Sequence, residues 1–129
     1  IWLTSVTDAL HPTPSNRLYL HGFDISPAQY PFTKDVNPSH ETFFSVHDMR
    51  GRFHEDQRGR YDLVHLRLLV VALKEEDYPV VVRNVVELLK PGGYLQWDEC
   101  DASAFNTAED PPLSHIALVK ASDGTRCLN

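Results

Sequence analysis

Three aspartates stand where strand-forming residues give way to a loop, and that placement limits the chemistry open to them. Asp24 closes the run RLYLHGF, Asp48 follows ETFFSVH, and Asp98 ends YLQW, with Glu99 and Asp101 close behind. An ionised carboxylate offers acceptors only, about four lone-pair positions on two oxygens. At the carboxyl end of a parallel strand it can take both hydroxyls of a ribose, through short charge-assisted bonds. Asp24 also stands three residues ahead of Pro27, where capping a turn is an alternative use for it. Asp48 has the same alternative, as a turn carboxylate opening a loop. Asp98, Glu99 and Asp101 could orient an amine or accept a proton from a nucleophile. They could equally form a solvated acidic strand end, and none is singled out as a catalytic base. His65, Leu66 and Arg67 sit at the tip of YDLVHL, where Arg67 could pair with a neighbouring carboxylate.

Other reactive side chains lack a pattern. The seven histidines form no HExxH and no other recognised ligand spacing, so no metal centre is expected. Cys100 and Cys127 form no CxxC pair and read as ordinary thiols of a reducing cytoplasm. Arg50, Arg52, Arg58 and Arg60 alternate with Glu55 and Asp56, the mixture of a solvated loop.

The elements that must hold these groups alternate between strand and helix. Ile1 to Leu10 carries a helical apolar face (Trp2, Leu3, Val6, Leu10), stopped by Pro12 and Pro14. Arg17 to Phe23, Glu41 to His47, Tyr61 to Leu66 and Tyr94 to Asp98 read as strands. Pro27 to Pro38 reads as a proline-rich linker. Asp77 to Leu89 reads as a helix, with Val81, Val82, Val85, Val86, Leu88 and Leu89 on one side and Arg83, Asn84 and Glu87 on the other. Glu75, Glu76 and Asp77 suit its positive end, Pro79 its first turn, and Lys90-Pro91-Gly92-Gly93 its stop. Leu113 to Ala121 reads as one more helix. The alternation implies a layered α/β domain around a parallel sheet. The first residue is Ile1 rather than Met, inside an amphipathic pattern, so the sequence reads as starting within an element.

Composition narrows the class. A chain of 129 residues with 42% hydrophobic and 23% charged residues fits one soluble domain. A net charge of -6 argues against a nucleic-acid groove. Arg67, Lys74 and Arg83 interrupt the apolar runs well short of the roughly 20 residues of a membrane span, and IWLTSVTDAL has no signal-peptide layout.

Taken in order, LHGFDIS, a strand ending in Asp48, YDLVHLR and LLKPGGYLQWDE resemble the class I S-adenosylmethionine-dependent methyltransferases. The likeness is nearest to their fungal secondary-metabolism branch and runs from Ile1 to Asp101. It implies a Rossmann-like, mostly parallel sheet with flanking helices, and S-adenosyl-L-methionine as cofactor. It places Asp24 on the adenosine ribose, Ile25 on the adenine, and Asp48 at the adenine amino group with the Met49 backbone N–H beside it. His65, Leu66 and Arg67 then lie near the methionine part, largely through backbone, with Asp98, Glu99 and Asp101 on the substrate side.

The implied activity is methyl transfer to a small-molecule acceptor, in the cytoplasm, with no nucleic acid and no membrane involved. The alternative within the same family is a non-catalytic regulator of secondary metabolism that works through protein partners, for which a nuclear location also fits. A nicotinamide-dependent dehydrogenase, which also places an acid after its second strand, fits LLKPGGYLQWDE and Asp48 less well. Residues 1–101 are the core match and 102–129 the start of a substrate-side or lid region. The family's first strand with its glycine-rich turn, and its closing antiparallel strands, are expected to be missing from this chain. By that reading the chain alone binds the cofactor weakly or not at all.

Overall fold

The structure is a computed structural model of the chain. It describes residues 2–10, 13, 17–100 and 114–120. The elements are α1 (Trp2–Ala9), β1 (Tyr19–Asp24), β2 (Glu41–Val46), β3 (Tyr61–Arg67), α2 (Tyr78–Val86), β4 (Leu89–Cys100) and β5 (Ser114–Lys120). They fall into two compact units, Ile1–Asp48 and Met49–Asn129.

In the first unit β1 and β2 pair in parallel, from Tyr19 opposite Glu41 to Asp24 opposite Val46. Alternation along a strand divides their side chains between two faces. On one face Leu3 of α1 and the Phe44 ring close over Gly22. On the other, Tyr19 meets Phe43 at 5.2 Å between ring centroids and His21 stacks on Phe23 at 4.0 Å. The buried His40 ties the strand entrances together. Its Nδ1 accepts the Leu18 N–H at 3.2 Å, while the Glu41 N–H donates to the Leu18 carbonyl at 3.0 Å.

The second unit is a sheet ordered β3-β4-β5, with α2 supplying its core. The sequence expectation for α2 needs correcting. Val81, Asn84, Val85 and Leu88 are buried, whereas Val82 and Val86 are exposed. The four buried residues follow the i, i+3, i+4, i+7 spacing of one helical face. Asn84 belongs to that face and is 4% exposed. Its Nδ2 donates to the carbonyls of Met49, Arg50 and Gly51 at 3.0, 3.1 and 3.0 Å. A buried amide without such partners would be costly, so the polar residue in the core is what holds the loop that opens this unit. The arginine loop folds onto the same helix end: Arg52 makes a two-pronged contact with Glu87 at 2.9 and 3.1 Å.

Helix α2 stops three residues short of Leu89 for a structural reason. The carbonyls just past it, on Glu87 and Leu88, are taken by the N–H groups that lead into β3. Gly59 N–H donates to Glu87 at 2.9 Å, and Arg60 and Tyr61 N–H donate to Leu88 at 3.0 and 3.1 Å. Leu89 then pairs with Tyr61, and β4 begins. Four residues, Lys90–Gly93, separate Leu89 from Tyr94, while only Asp62 separates Tyr61 from Leu63. The surplus is taken up in a bulge where Gly92 has φ 82° and Gly93 lies against backbone. From Tyr94 onward the strands run in parallel register to Arg67 opposite Asp98.

The C-terminal expectation is overturned. The sequence pattern predicts a helix over Leu113 to Ala121 and no antiparallel strand. Instead, Ser114–Lys120 is a strand paired antiparallel to β4, from Tyr94 opposite Lys120 to Cys100 opposite Ser114. A short apolar run cannot be sorted into helix or strand by periodicity alone. The second edge of β4 offers a row of ladder groups that need partners. No helix among the described residues is long and apolar enough to cross a membrane.

The bulge yields a prediction. A Cβ on Gly93 would lie 3.0, 3.1 and 3.2 Å from the carbonyl oxygens of Lys90, Tyr61 and Asp62. Gly93→Ala should therefore cost about 1–3 kcal/mol, as overpacking does. Lys90→Ala breaks only the exposed pair with Asp62, worth under about 1 kcal/mol. Urea unfolding of the two variants checks the order, and equal losses would contradict it.

Candidate functional site

In the first unit the carboxyl ends of β1 and β2 are neighbours. The Asp24 Oδ1 accepts the Ser26 backbone N–H at 2.8 Å. This is the turn cap considered from sequence, and it uses only part of the acceptor capacity of the carboxylate. The His47 N–H donates to the Asp24 carbonyl at 2.9 Å, carrying the pairing past Val46 and setting Asp48 at the adjacent tip. Ile25 is 68% exposed beside Asp24 and offers apolar surface. Tyr30, which carries no sequence signal for a site role, lies in the same unit. Its ring lies 5.2 Å from Phe44, and its buried hydroxyl has no hydrogen-bond partner among the described residues. Burial, and then the charge of Asp24, raise its pKa above the ordinary phenol value.

In the second unit, the register of β3 and β4 decides which groups meet. His65, Arg67, Gln96 and Asp98 share one face by alternation. The His65 Nε2 donates to Asp98 Oδ2 at 2.8 Å, with the imidazole 6% and the carboxylate 24% exposed. Gln96 Nε2 donates to Asp98 Oδ1 at 3.2 Å. The hydrogen bond from His65, then that from Gln96, hold the Asp98 pKa below the usual carboxylate value; Arg67, directly across the ladder, adds to the effect. A carboxylate kept ionised in this way is a poor proton acceptor at neutral pH. It orients His65 and contributes fixed negative charge.

Glu99 lies on the opposite face. The Trp97 Nε1 donates to its Oε1 at 2.7 Å, and the Leu69 N–H donates to the same oxygen at 2.8 Å. The Val70 N–H donates to Oε2 at 3.2 Å. Tyr78, the first residue of α2, stacks on Trp97 at 5.5 Å with planes 9° apart. Burial, and then Glu99, raise the Tyr78 pKa.

The remaining candidates divide clearly. Leu66 is buried at 8% exposure, so its side chain serves the core, while Arg67 is exposed. Met49 is half-buried and its carbonyl is held by Asn84. Asp101 lies outside the described residues. His47, His54 and His65, weighed from sequence as a group, each have a separate neighbour: Phe23, Asp56 and Asp98. Asn84, Gln96, Trp97 and Tyr78 were not legible as site residues. For Asn84, the helical spacing was the available signal.

The Asp98 contacts carry a pH dependence of known sign. The folded pKa is depressed, so the pairing stabilises above the ordinary carboxylate range and is lost as pH falls through the folded value. Asp98→Asn should melt below wild type at about pH 6, and the gap should close as the pH falls below the ordinary carboxylate value. Thermal melts followed by circular dichroism would test this; a gap that persists to the acid end would contradict it.

No protein-family model matches the chain. Individual proteins do. Methyltransferase grgD of a Penicillium species is 38% identical over 120 residues, covering 90% of this chain and 40% of grgD. N-methyltransferase sirN of Leptosphaeria maculans is 34% identical over 95 residues, covering 74% of this chain and 30% of sirN. The chain thus spans well under half the length of these relatives. Among solved structures, the glycopeptide N-methyltransferase MtfA complexed with S-adenosyl-L-methionine superposes with a TM-score of 0.50 at 19% identity, covering 93% of this chain and 67% of MtfA. That likeness bears on the fold alone, and it agrees with parallel strands read as Rossmann-like. The identity to grgD and sirN shows that the chain is similar to fungal methyltransferases over most of its length, in agreement with the resemblance carried by the order of its strands.

Proposed function

We propose that the protein to which this chain belongs transfers a methyl group from S-adenosyl-L-methionine to a small-molecule acceptor. The observation that carries this reading is the 38% identity to grgD across nine-tenths of the chain. The name of sirN favours nitrogen as the accepting atom.

The residues present suit the cofactor. Asp24 ends a parallel strand, is half-buried, and keeps acceptor positions beyond the one used by Ser26. Two ribose hydroxyls are a natural load for it. Ile25 supplies exposed apolar surface for a purine, and Asp48 at the neighbouring tip supplies an acceptor for an exocyclic amine. In the second unit His65, Leu66 and Arg67 are the proposed neighbours of the methionine part, through their backbone. Asp98 is the substrate-side group of this proposal, as a fixed charge that attracts and orients a basic nitrogen. The sulfonium brings a methyl group already activated for transfer, so the protein's task is alignment more than acid–base chemistry.

The test uses the full-length protein, methyl-labelled S-adenosylmethionine and a protein-free extract of the source organism. Label should appear in a small molecule, and the yield should fall at least about tenfold with Asp24→Ala, since truncating a charged hydrogen-bond acceptor weakens binding by that order. A full-length protein that binds the cofactor yet labels nothing would overturn the proposal.

A further inference from the structure

We infer that Glu99 is a positioning residue. It holds the turn after β3 in one conformation and so shapes the floor on which the methionine end of the cofactor rests. The inference builds on the function proposed above, and nothing in the family relationship assigns this role to Glu99.

Three consecutive backbone donors at the tip of β3 are taken up by β4. Leu68 N–H donates to the Asp98 carbonyl at 3.0 Å, Leu69 N–H to Glu99 Oε1 at 2.8 Å, and Val70 N–H to Glu99 Oε2 at 3.2 Å. The first reaches the backbone of the strand. The other two reach one side chain, which therefore replaces the ladder after the strand ends. The turn has reason to need holding. Leu68 has φ 54°, the only non-glycine residue with positive φ among the described residues. That conformation is unfavourable for a branched side chain and persists only where the surroundings over-determine it. Here the carboxylate is itself fixed. Trp97 Nε1 donates to it at 2.7 Å, and Tyr78 stacks on the indole. The order of support runs from α2 through Tyr78 and Trp97 to Glu99, and from Glu99 to the turn that continues His65-Leu66-Arg67. Both oxygens of Glu99 serve this purpose, so it acts on a ligand through the turn.

The experiment compares wild-type full-length protein with Glu99→Gln and Trp97→Phe. Glutamine keeps the shape but offers one acceptor oxygen and an amide nitrogen that cannot accept. Phenylalanine keeps a ring to face Tyr78, removes the indole donor, and gives up part of the stacked ring area. Amide exchange at Leu69 and Val70 should accelerate about tenfold in Glu99→Gln. The dissociation constant for S-adenosylhomocysteine should rise about tenfold, a loss of about 1.4 kcal/mol. Trp97→Phe should show a smaller rise, on the order of threefold. The KM for S-adenosylmethionine should rise while that for the acceptor stays put, a split that general loosening of the fold would not produce. If Glu99→Gln fails to fold, Trp97→Phe carries the same test. Amides that stay protected would overturn the clamp, and faster exchange with unchanged cofactor affinity would overturn the positioning role. Wild-type protein that binds no S-adenosylhomocysteine would overturn the methyltransferase reading itself and the positioning role with it.

Discussion

The arrangement of the second unit depends on one close approach of backbone to backbone. Gly93 runs against the carbonyls of Lys90, Tyr61 and Asp62, where a side chain would crowd oxygens that cannot move independently. That approach lets the chain leave α2, absorb four residues in a bulge, and enter β4 alongside β3. A one-residue slip in register would turn every side chain of β4 to the other face. Asp98 would then leave His65, and Glu99 would leave the turn at Leu69 and Val70. The chemistry at the carboxyl end of the sheet is thus set several residues earlier, at a glycine that touches none of it.

The consequence is a division of labour among carboxylates that look alike in sequence. Asp24 caps its turn with one oxygen and keeps acceptor capacity for a ligand. Asp98 is held ionised by His65 and Gln96. Glu99, one residue later and on the opposite face, has both oxygens committed to the indole of Trp97 and to two backbone N–H groups. Strand alternation gives adjacent acids different neighbours, and the neighbours assign the roles.

Much of this was legible without coordinates. The four parallel strands were found in place, with boundaries moved by a few residues, because strand runs bounded by turn residues are a strong local signal. Asp24 and Asp48 were found at or just beyond strand tips for the same reason, whereas Asp98 lies inside β4, which runs on to Cys100 and pairs there with β5. The failures have equally physical causes. Asn84 was assigned to the solvent side because of its polarity, although its spacing from Val81 and Leu88 put it on the buried face, where three carbonyls accept from it. The segment at Ser114–Lys120 was read as helix because a short apolar run carries no decisive period, and the open edge of β4 settled the matter. The role of Glu99 depends on a backbone turn thirty residues away in sequence from its side chain, and no local pattern encodes that distance.

The central claim is that the acids near the carboxyl ends of the strands have separate tasks, with the ribose proposed for Asp24. Calorimetric titration of the full-length protein with S-adenosylhomocysteine, comparing Asp24→Asn with Asp98→Asn, tests it most directly. The account predicts that Asp24→Asn weakens binding by about tenfold or more, and that Asp98→Asn binds within about twofold of wild type. Equal losses in the two variants, or a loss confined to Asp98→Asn, would contradict it.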